Sequence, residues 1–211
     1  MSGPALRAGF YGKLPSAGDF LTRRVPPDTL AVWDNFLRHM TATSQARAGA
    51  DWPGAWLEAP VWHMTAAAGV LGPAQMRAVL VPGMDRVGRF FPFTILCPAQ
   101  TGGAPAAQWA LAAETICLDA LETDTAPDDI LARLETCALP APAAELGGRD
   151  RVDLARPTDP WPAAAEDALG PPRGGSLWWC RGTARVPAIL LRCPDLPAAA
   201  RAGAMMVGGL T

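Results

Sequence analysis

The sequence predicts an α/β protein of the α+β type, a single compact domain in which helices flank a central, mostly antiparallel sheet. Short apolar runs bounded by glycine and proline come in groups, and helical patterns follow as a block. A doubly wound nucleotide-binding fold would instead alternate strands and helices strictly. The 211 residues are 50% hydrophobic and 18% charged, which is a globular balance. A chain of this length buries about 70% of its unfolded surface, so its core requires no disulfide or metal.

The first part of the chain is expected to hold one long helix and four strands. Residues 8–14 fit a short strand between glycines, and residues 15–19 fit a turn. Pro26-Pro27-Asp28 predicts a helix start with Asp28 as its cap, and Gly49 predicts the helix end. Apolar residues at spacings of three and four mark its buried face: Leu30, Trp33, Leu37 and Met40, with Phe36 beside them. Further strands are predicted over residues 61–67, 76–81 and 90–97.

The second part is expected to hold three helices and a closing pair of strands. The helices are predicted over residues 106–123, 128–138 and 196–206. Two strands, over residues 177–180 and 186–192, flank a turn at Gly182. Between these groups, residues of about 140–175 are rich in proline, glycine, alanine, aspartate and arginine, which predicts a long surface loop.

Composition limits which partners the protein can bind and in which cellular compartment it is expected. The net charge is −2, and Lys13 is the only lysine among 18 basic residues, so no basic footprint for nucleic acid is present. No stretch approaches the ~20 apolar residues of a membrane helix. The five cysteines are odd in number and form no C-x-x-C pair, which predicts free thiols and a cytoplasmic protein. A peripheral position at an inner-membrane complex stays open.

The sequence shows no constellation typical of an enzyme. His39 and His63, the two histidines, have no partner at metal-ligand spacing, and the nucleophile-elbow pattern G-x-S-x-G is missing. Gly9, Gly12 and Lys13 do not form a phosphate-binding loop, because leucine follows the lysine. We therefore predict a non-enzymatic protein with no catalytic residues, no metal and no cofactor.

The most unusual charged segment is P-G-M-D-R-V-G-R-F-F-P, residues 82–92. Asp85, Arg86 and Arg89 form either an exposed recognition loop or a local ion pair, Asp85 with Arg86 or Arg89, that pins a turn. The same two alternatives apply to Asp19 with Arg23 and Arg24.

The tryptophans also divide into two groups. Trp33 and Trp109 fall on helical apolar stripes and are predicted to lie in the core. A second group fits either the core or a contact surface: Trp52, Trp56, Trp161 and Trp178 or Trp179.

Three segments together resemble the TagF/ImpM family of type VI secretion-associated proteins. They are G-F-Y-G-K-L-P-S-A-G-D-F at residues 9–20, V-L-V-P-G-M-D-R-V-G-R-F-F-P-F at 79–93, and G-S-L-W-W-C at 175–180. The resemblance runs along nearly the whole chain and implies a single TagF/ImpM-like domain over residues 1–211. The motif positions are candidates for fold maintenance or partner contact: Lys13, Asp19, Asp85, Arg86 and Arg89.

The resemblance also implies a function. Proteins of this family are described as post-translational repressors of type VI secretion that act through or beside an FHA-domain scaffold protein. The expected partners are therefore type VI secretion components. Two alternatives stay open: a structural or assembly component of the secretion apparatus, and a small hydrolase.

Overall fold

The structure is a computed structural model that describes residues 7–100, 106–140, 151–153 and 174–210. Within these residues lies one eight-stranded sheet of order β2-β1-β5-β4-β3-β7-β8-β6, antiparallel at each junction. The strands are β1 Gly9–Gly12, β2 Leu21–Arg23, β3 Trp62–Ala66, β4 Met76–Val81, β5 Phe93–Pro98, β6 Arg151–Asp153, β7 Ser176–Cys180 and β8 Ile189–Cys193. The predicted fold class, a mostly antiparallel sheet flanked by helices, is confirmed.

Helices cover both faces of this sheet. They are α1 Pro27–Ala48, α2 Trp52–Leu57, α3 Ala106–Glu122, α4 Pro127–Thr136 and α5 Ala199–Val207. Side chains of α1, α2 and α5 form one core with the sheet, and side chains of α3 and α4 form a second core on the other face. Even α1, the longest described helix, lacks the apolar length that crossing a bilayer requires.

Strand β4 shows how the sheet serves both cores. Ala78 and Leu80 belong to the first core, whereas Val79 and Val81 belong to the second. Successive side chains of a strand point to opposite faces, so a strand covered on both sides must be apolar at nearly every position. This explains why five of the six residues of β4 are apolar, with Arg77 as the exception, instead of alternating with polar residues.

The core of the first face is built on tryptophan. Trp33 of α1 stacks on Trp178 of β7 with ring centroids 6.0 Å apart, and its Nε1 donates to Thr94 Oγ1 at 3.0 Å. Trp52 and Trp56 are also buried, and their indole nitrogens donate to Ser44 Oγ and the Gly83 carbonyl. The core prediction for Trp33 and Trp109 is confirmed, and the structure resolves the second group in favour of the core, except for Trp161, which lies outside the described residues.

Helix α1 was predicted well at its end and poorly at its start. Gly49 follows Ala48 with a φ of 58°, a left-handed conformation that glycine adopts without strain. The prediction that Asp28 caps the helix is wrong, because the helix already begins at Pro27, with Pro26 in the cap position and no side-chain cap bond. Proline suits the first helical position, since its missing N–H is not needed there. Asp28 lies in the first turn, where its charge complements the helix dipole.

Other boundaries shift where proline interrupts the pattern. Strand β5 was expected from residue 90 but begins after Pro92, and β8 was expected from residue 186 but begins after Pro187. Proline has no N–H for the ladder, so pairing starts beyond it. The final helix likewise begins two residues after Pro197.

Three short elements were not predicted. Strand β2 is only three residues long and largely exposed, so it carries no apolar pattern. Helix α2 has no counterpart among the predicted elements, although Trp52 and Trp56 are spaced to share one helical face. Strand β6, Arg151–Asp153, lies inside the predicted loop of residues 140–175 and pairs with β8, so the loop prediction is wrong there. Most of the rest of that segment lies outside the described residues.

Candidate functional site

The two sequence motifs of residues 9–20 and 79–93 meet at one end of the sheet. Strand β5 pairs with both β1 and β4, so that Phe93 stands opposite Gly12 on one side and Val81 on the other. The loops that follow β1 and β4 are therefore neighbours. The Arg86 N–H donates to the Ala17 carbonyl at 2.9 Å and joins them. We call this region, residues 13–20 and 82–92, the paired-loop surface.

Asp85 lies at the centre of the paired-loop surface and is 1% exposed. Its Oδ1 accepts the backbone N–H groups of Val87 at 3.1 Å and Arg89 at 2.9 Å. Its Oδ2 accepts Arg89 Nε at 2.7 Å and lies 3.0 Å from Lys13 Nζ. Burial alone would raise the pKa of this carboxyl, but the donors from Arg89 and Lys13 outweigh it and hold the pKa well below its usual range.

Lys13 and Arg89 connect Asp85 to the first loop. Lys13, the only lysine, is 5% exposed, and its Nζ lies 4.8 Å from the centroid of the Phe20 ring. Arg89 donates from Nη2 to the Gly18 carbonyl at 2.6 Å. The buried carboxylate is thus bound to groups from both loops. Of the two ion pairs considered from the sequence, Asp85 forms the one with Arg89, and its pair with Lys13 was not foreseen.

The five motif residues therefore divide by exposure. Lys13 and Asp85 are buried and hold the two loops together. Asp19, Arg86 and Arg89 are exposed beside them, with Asp19 Oδ1 accepting the Phe20 N–H at 2.8 Å. All five belong to one surface, and only the exposed three are accessible to a partner.

A second hydrogen-bond chain, partly exposed, lies beside Phe20 and was not predicted from the sequence. The Tyr11 hydroxyl donates to Asp34 Oδ1 at 2.5 Å, and Arg38 Nε donates to Asp34 Oδ2 at 2.6 Å. Burial and the hydrogen bond to Asp34 raise the pKa of Tyr11. Its ring stacks on Phe20, with centroids 5.7 Å apart. Tyr11 is the only tyrosine and stands inside the first motif, which is the signal that could have identified it.

Two glycines allow the loops to approach this closely. Gly12 has a φ of 139°, and a β-carbon placed on it would lie 2.0 Å from the Pro92 carbonyl oxygen. A β-carbon on Gly83 would lie 2.4 Å from the Phe91 carbonyl oxygen. Both contacts are far inside van der Waals range. Gly12 of the first motif and Gly83 of the second thus allow close backbone packing of the two loops.

A cavity of about 700 Å³ lies at the opposite end of the same strands and contains none of the five motif residues. Its walls include Val25, Met76 and Leu96, and Arg24 stands at its edge. Arg24 has a φ of 56°, and its guanidinium lies 2.5 Å from Glu135. Among the described residues Asp19 forms no ion pair with Arg23 or Arg24: Arg24 pairs with Glu135 of α4, and Arg23 donates to the Thr22 carbonyl.

Beside the second core, α3 buries an ionisable pair against the sheet. His63 Nε2 lies 3.0 Å from Glu114 Oε2, and Arg181 Nη1 lies 2.5 Å from Glu114 Oε1. An ionised carboxylate only accepts hydrogen bonds, so Nε2 carries the hydrogen. Trp179 stacks on the imidazole at 5.1 Å. Burial alone would raise the pKa of Glu114, but His63 and Arg181 reverse this effect and lower it.

His39, the other histidine, is exposed, and its Nδ1 forms a hydrogen bond with the Asn35 carbonyl.

Acid unfolding tests the pair around Glu114. A carboxyl whose pKa is lower in the folded than in the unfolded chain stabilises the fold above the unfolded pKa, about 4.3, and loses this contribution as pH falls. Below pH ~5 the free energy of unfolding is therefore expected to fall with pH less steeply in Glu114→Gln than in the wild type. The difference in slope is up to about 1.4 kcal/mol per pH unit. Urea unfolding from pH 7 to pH 3 measures this slope. Glu122→Gln, on the exposed end of the same helix, is the control. Equal slopes in both variants would contradict the assignment.

The described residues include no activated cysteine thiol and no cluster of metal ligands. All five cysteines are free, and burial raises the pKa of Cys180 to about 11 and of Cys97 to about 12. Such thiols are poor nucleophiles at neutral pH. Across the described ranges, no group of three or more histidine, cysteine, aspartate or glutamate side chains could hold a metal ion.

The fold and the site define an α+β domain with two surface loops that a buried lysine–aspartate pair and an exposed arginine hold together. A family model described as the TagF N-terminal domain, type VI secretion system-associated, matches residues 9–137. This chain belongs to the TagF family, as its motifs indicated. The crystal structure of PA0076 from Pseudomonas aeruginosa PAO1 is similar to it, with a TM-score of 0.72 and 31% sequence identity over 96% of this chain and 94% of that one. No curated protein matches the chain.

Proposed function

We propose that this protein is a non-enzymatic, post-translational repressor of a type VI secretion system and that it acts in the cytoplasm by binding other proteins. Membership of a type VI secretion-associated family supports the system. The paired-loop surface supports the mode of action, because its buried charges neutralise one another and leave other side chains facing outward. The proposed partner is an FHA-domain scaffold protein or another assembly component of the same system.

Deletion of the gene tests the direction of the effect. We expect secretion of the type VI tube protein to rise in the deletion strain while its intracellular level stays unchanged. Quantitative immunoblots of supernatant and cell fractions measure both, and a plasmid copy of the gene must restore the parental level. Abolished secretion would instead assign the protein to the structural or assembly alternative. Unchanged secretion would contradict both roles.

Direct binding tests the partner. The purified chain and the purified FHA-domain protein of the same gene cluster are expected to form a complex that elutes together in size-exclusion chromatography. A complex that survives in the absence of nucleotide and metal favours a contact mechanism over an enzymatic one. Two separate elution peaks at micromolar concentrations would exclude the FHA-domain protein as a stable partner and would leave the repressor role to the deletion experiment.

A further inference from the structure

Arg86 stands out on the paired-loop surface because its charge is not neutralised. Its backbone N–H holds the two loops together, but no carboxylate of the described residues lies within ion-pair distance of its guanidinium. The guanidinium lies over the first loop, where a β-carbon built on Gly18 would be 3.4 Å from Nη2. Arg89, three residues later, is bound to Asp85 and the Gly18 carbonyl. The two arginines therefore have different roles, one structural and one directed at solvent.

Two exposed apolar side chains belong to the same paired-loop surface as Arg86. Val87 is 66% exposed, which is the largest value for a large apolar residue in the described part of the chain. Phe20, on the other loop, is 37% exposed and rests on the buried Tyr11 and Phe91 rings. A single exposed apolar residue is ordinary. Arginine and aromatic residues are enriched at protein interfaces, and an exposed valine beside them adds apolar contact area.

The surface is also rigid before any partner arrives. Asp85 fixes the backbone of Val87 and Arg89 through its Oδ1, and the Asp85 N–H donates to the Arg89 carbonyl at 3.1 Å. Arg86 and Val87 therefore stand at the tip of a closed turn with their main chain already ordered. A group held in its bound conformation loses little conformational entropy on association, which strengthens binding.

The charged groups on and around Arg86 indicate which kind of partner the surface can bind. The exposed carboxylate of Asp19 and the net charge of −2 of the chain both disfavour a polyanion such as nucleic acid. A single carboxylate is the ligand that one guanidinium fork binds best. The neighbouring valine and phenylalanine fit an apolar side chain next to that carboxylate.

We infer that the paired-loop surface binds a protein segment in which an aspartate or glutamate stands beside an apolar residue, with Arg86 pairing the carboxylate and Val87 and Phe20 covering the apolar side chain. This inference rests on the proposed function for the identity of the system in which the partner is found. It goes beyond that function by naming the contact residues and the chemistry of the partner.

Photo-crosslinking from the tip of the loop tests the contact. The native strain receives, as its only copy of the gene, a chain with benzoylphenylalanine at position 87, with or without Arg86→Glu. We expect an adduct with a type VI secretion component, mapped by mass spectrometry to a segment that contains aspartate or glutamate. Arg86→Glu is expected to reduce the adduct by about tenfold or more, because it replaces attraction with repulsion. Arg86→Lys is expected to retain most of it.

Matched controls keep this outcome separate from misfolding and from the proposed function. Arg201→Glu changes an exposed arginine of α5 and is expected to leave the adduct unchanged. Thermal unfolding of the purified variants checks that each is folded. No adduct, an adduct mapped to a segment without acidic residues, or an adduct unaffected by Arg86→Glu would each overturn the inference. Secretion of the tube protein is measured in the same strains and tests repression separately. If Arg86→Glu reduces the expected adduct but leaves secretion unchanged, the contact is supported and the repressor role is contradicted.

Discussion

Replacement of Asp85 by alanine is expected to lower the free energy of unfolding by about 3–5 kcal/mol, since it leaves a buried cation without its partner. Lys13 is buried and faces the Asp85 carboxylate at 3.0 Å. The backbone N–H groups of Val87 and Arg89 would lose their acceptor as well. The total stability of a domain is typically about 5–15 kcal/mol, so this single change removes a large part of it.

Urea unfolding followed by tryptophan fluorescence measures the effect. Asp19→Ala, an exposed aspartate of the same surface, is the matched control and is expected to change stability by no more than about 0.5 kcal/mol. Adding Lys13→Met to Asp85→Ala should recover part of the loss, because it removes the unpaired charge. An Asp85→Ala variant whose free energy of unfolding lies within about 1 kcal/mol of the wild-type value would show that the cluster does not support the loops.

Replacement of Gly12 by alanine is expected to destabilise the fold by about 2–5 kcal/mol, from backbone strain and from a steric clash together. The φ of 139° is a conformation that alanine rarely adopts, and the added methyl would meet the Pro92 carbonyl oxygen at 2.0 Å. Pro92 directly precedes Phe93, the first residue of β5, and Phe93 is paired with Gly12 in the sheet. The Pro92 carbonyl therefore has little freedom to move.

Gly88→Ala separates the two causes of this loss. Gly88 also has a positive φ, 84°, but a β-carbon there would meet no atom within 4 Å. We expect it to lose about 1–2 kcal/mol from strain alone. The difference between the two variants in urea unfolding therefore reports the clash at β5. Equal losses would mean that Pro92 moves aside and that close packing of the two loops is not required.

The elements that the sequence predicted well are those with strong local patterns. Strand β4 was predicted with its observed bounds, because Met76–Val81 is an apolar run, broken only by Arg77, between turn residues. Helix α1 was predicted over nearly its full length, since its apolar stripe and Gly49 are both local signals. Local signals also explain why Asp28 was wrongly predicted as the cap. Proline and aspartate both favour a helix start, and the two stand side by side at Pro27 and Asp28.

Assignments that depend on strand order could not be made from the sequence. Lys13 meets Asp85 only because β5 lies between β1 and β4, and nothing in the local sequence of either loop states that order. The pair of His63 and Glu114 depends in the same way on α3 packing against the sheet, where Glu114 reaches His63 of β3. Hydrophobic burial specifies which face of an element is buried, but not which polar groups meet there.

By itself, the sequence determined the class of fold, the long helix, the family and the five motif residues at which the two loops meet. Only the tertiary structure decided that Lys13 and Asp85 are buried and that Arg86 is exposed with no carboxylate partner in the described part of the chain. The physical reason is that secondary structure follows from periodicity and backbone preference within one segment, whereas exposure and charge pairing arise between segments that only the folded sheet brings together.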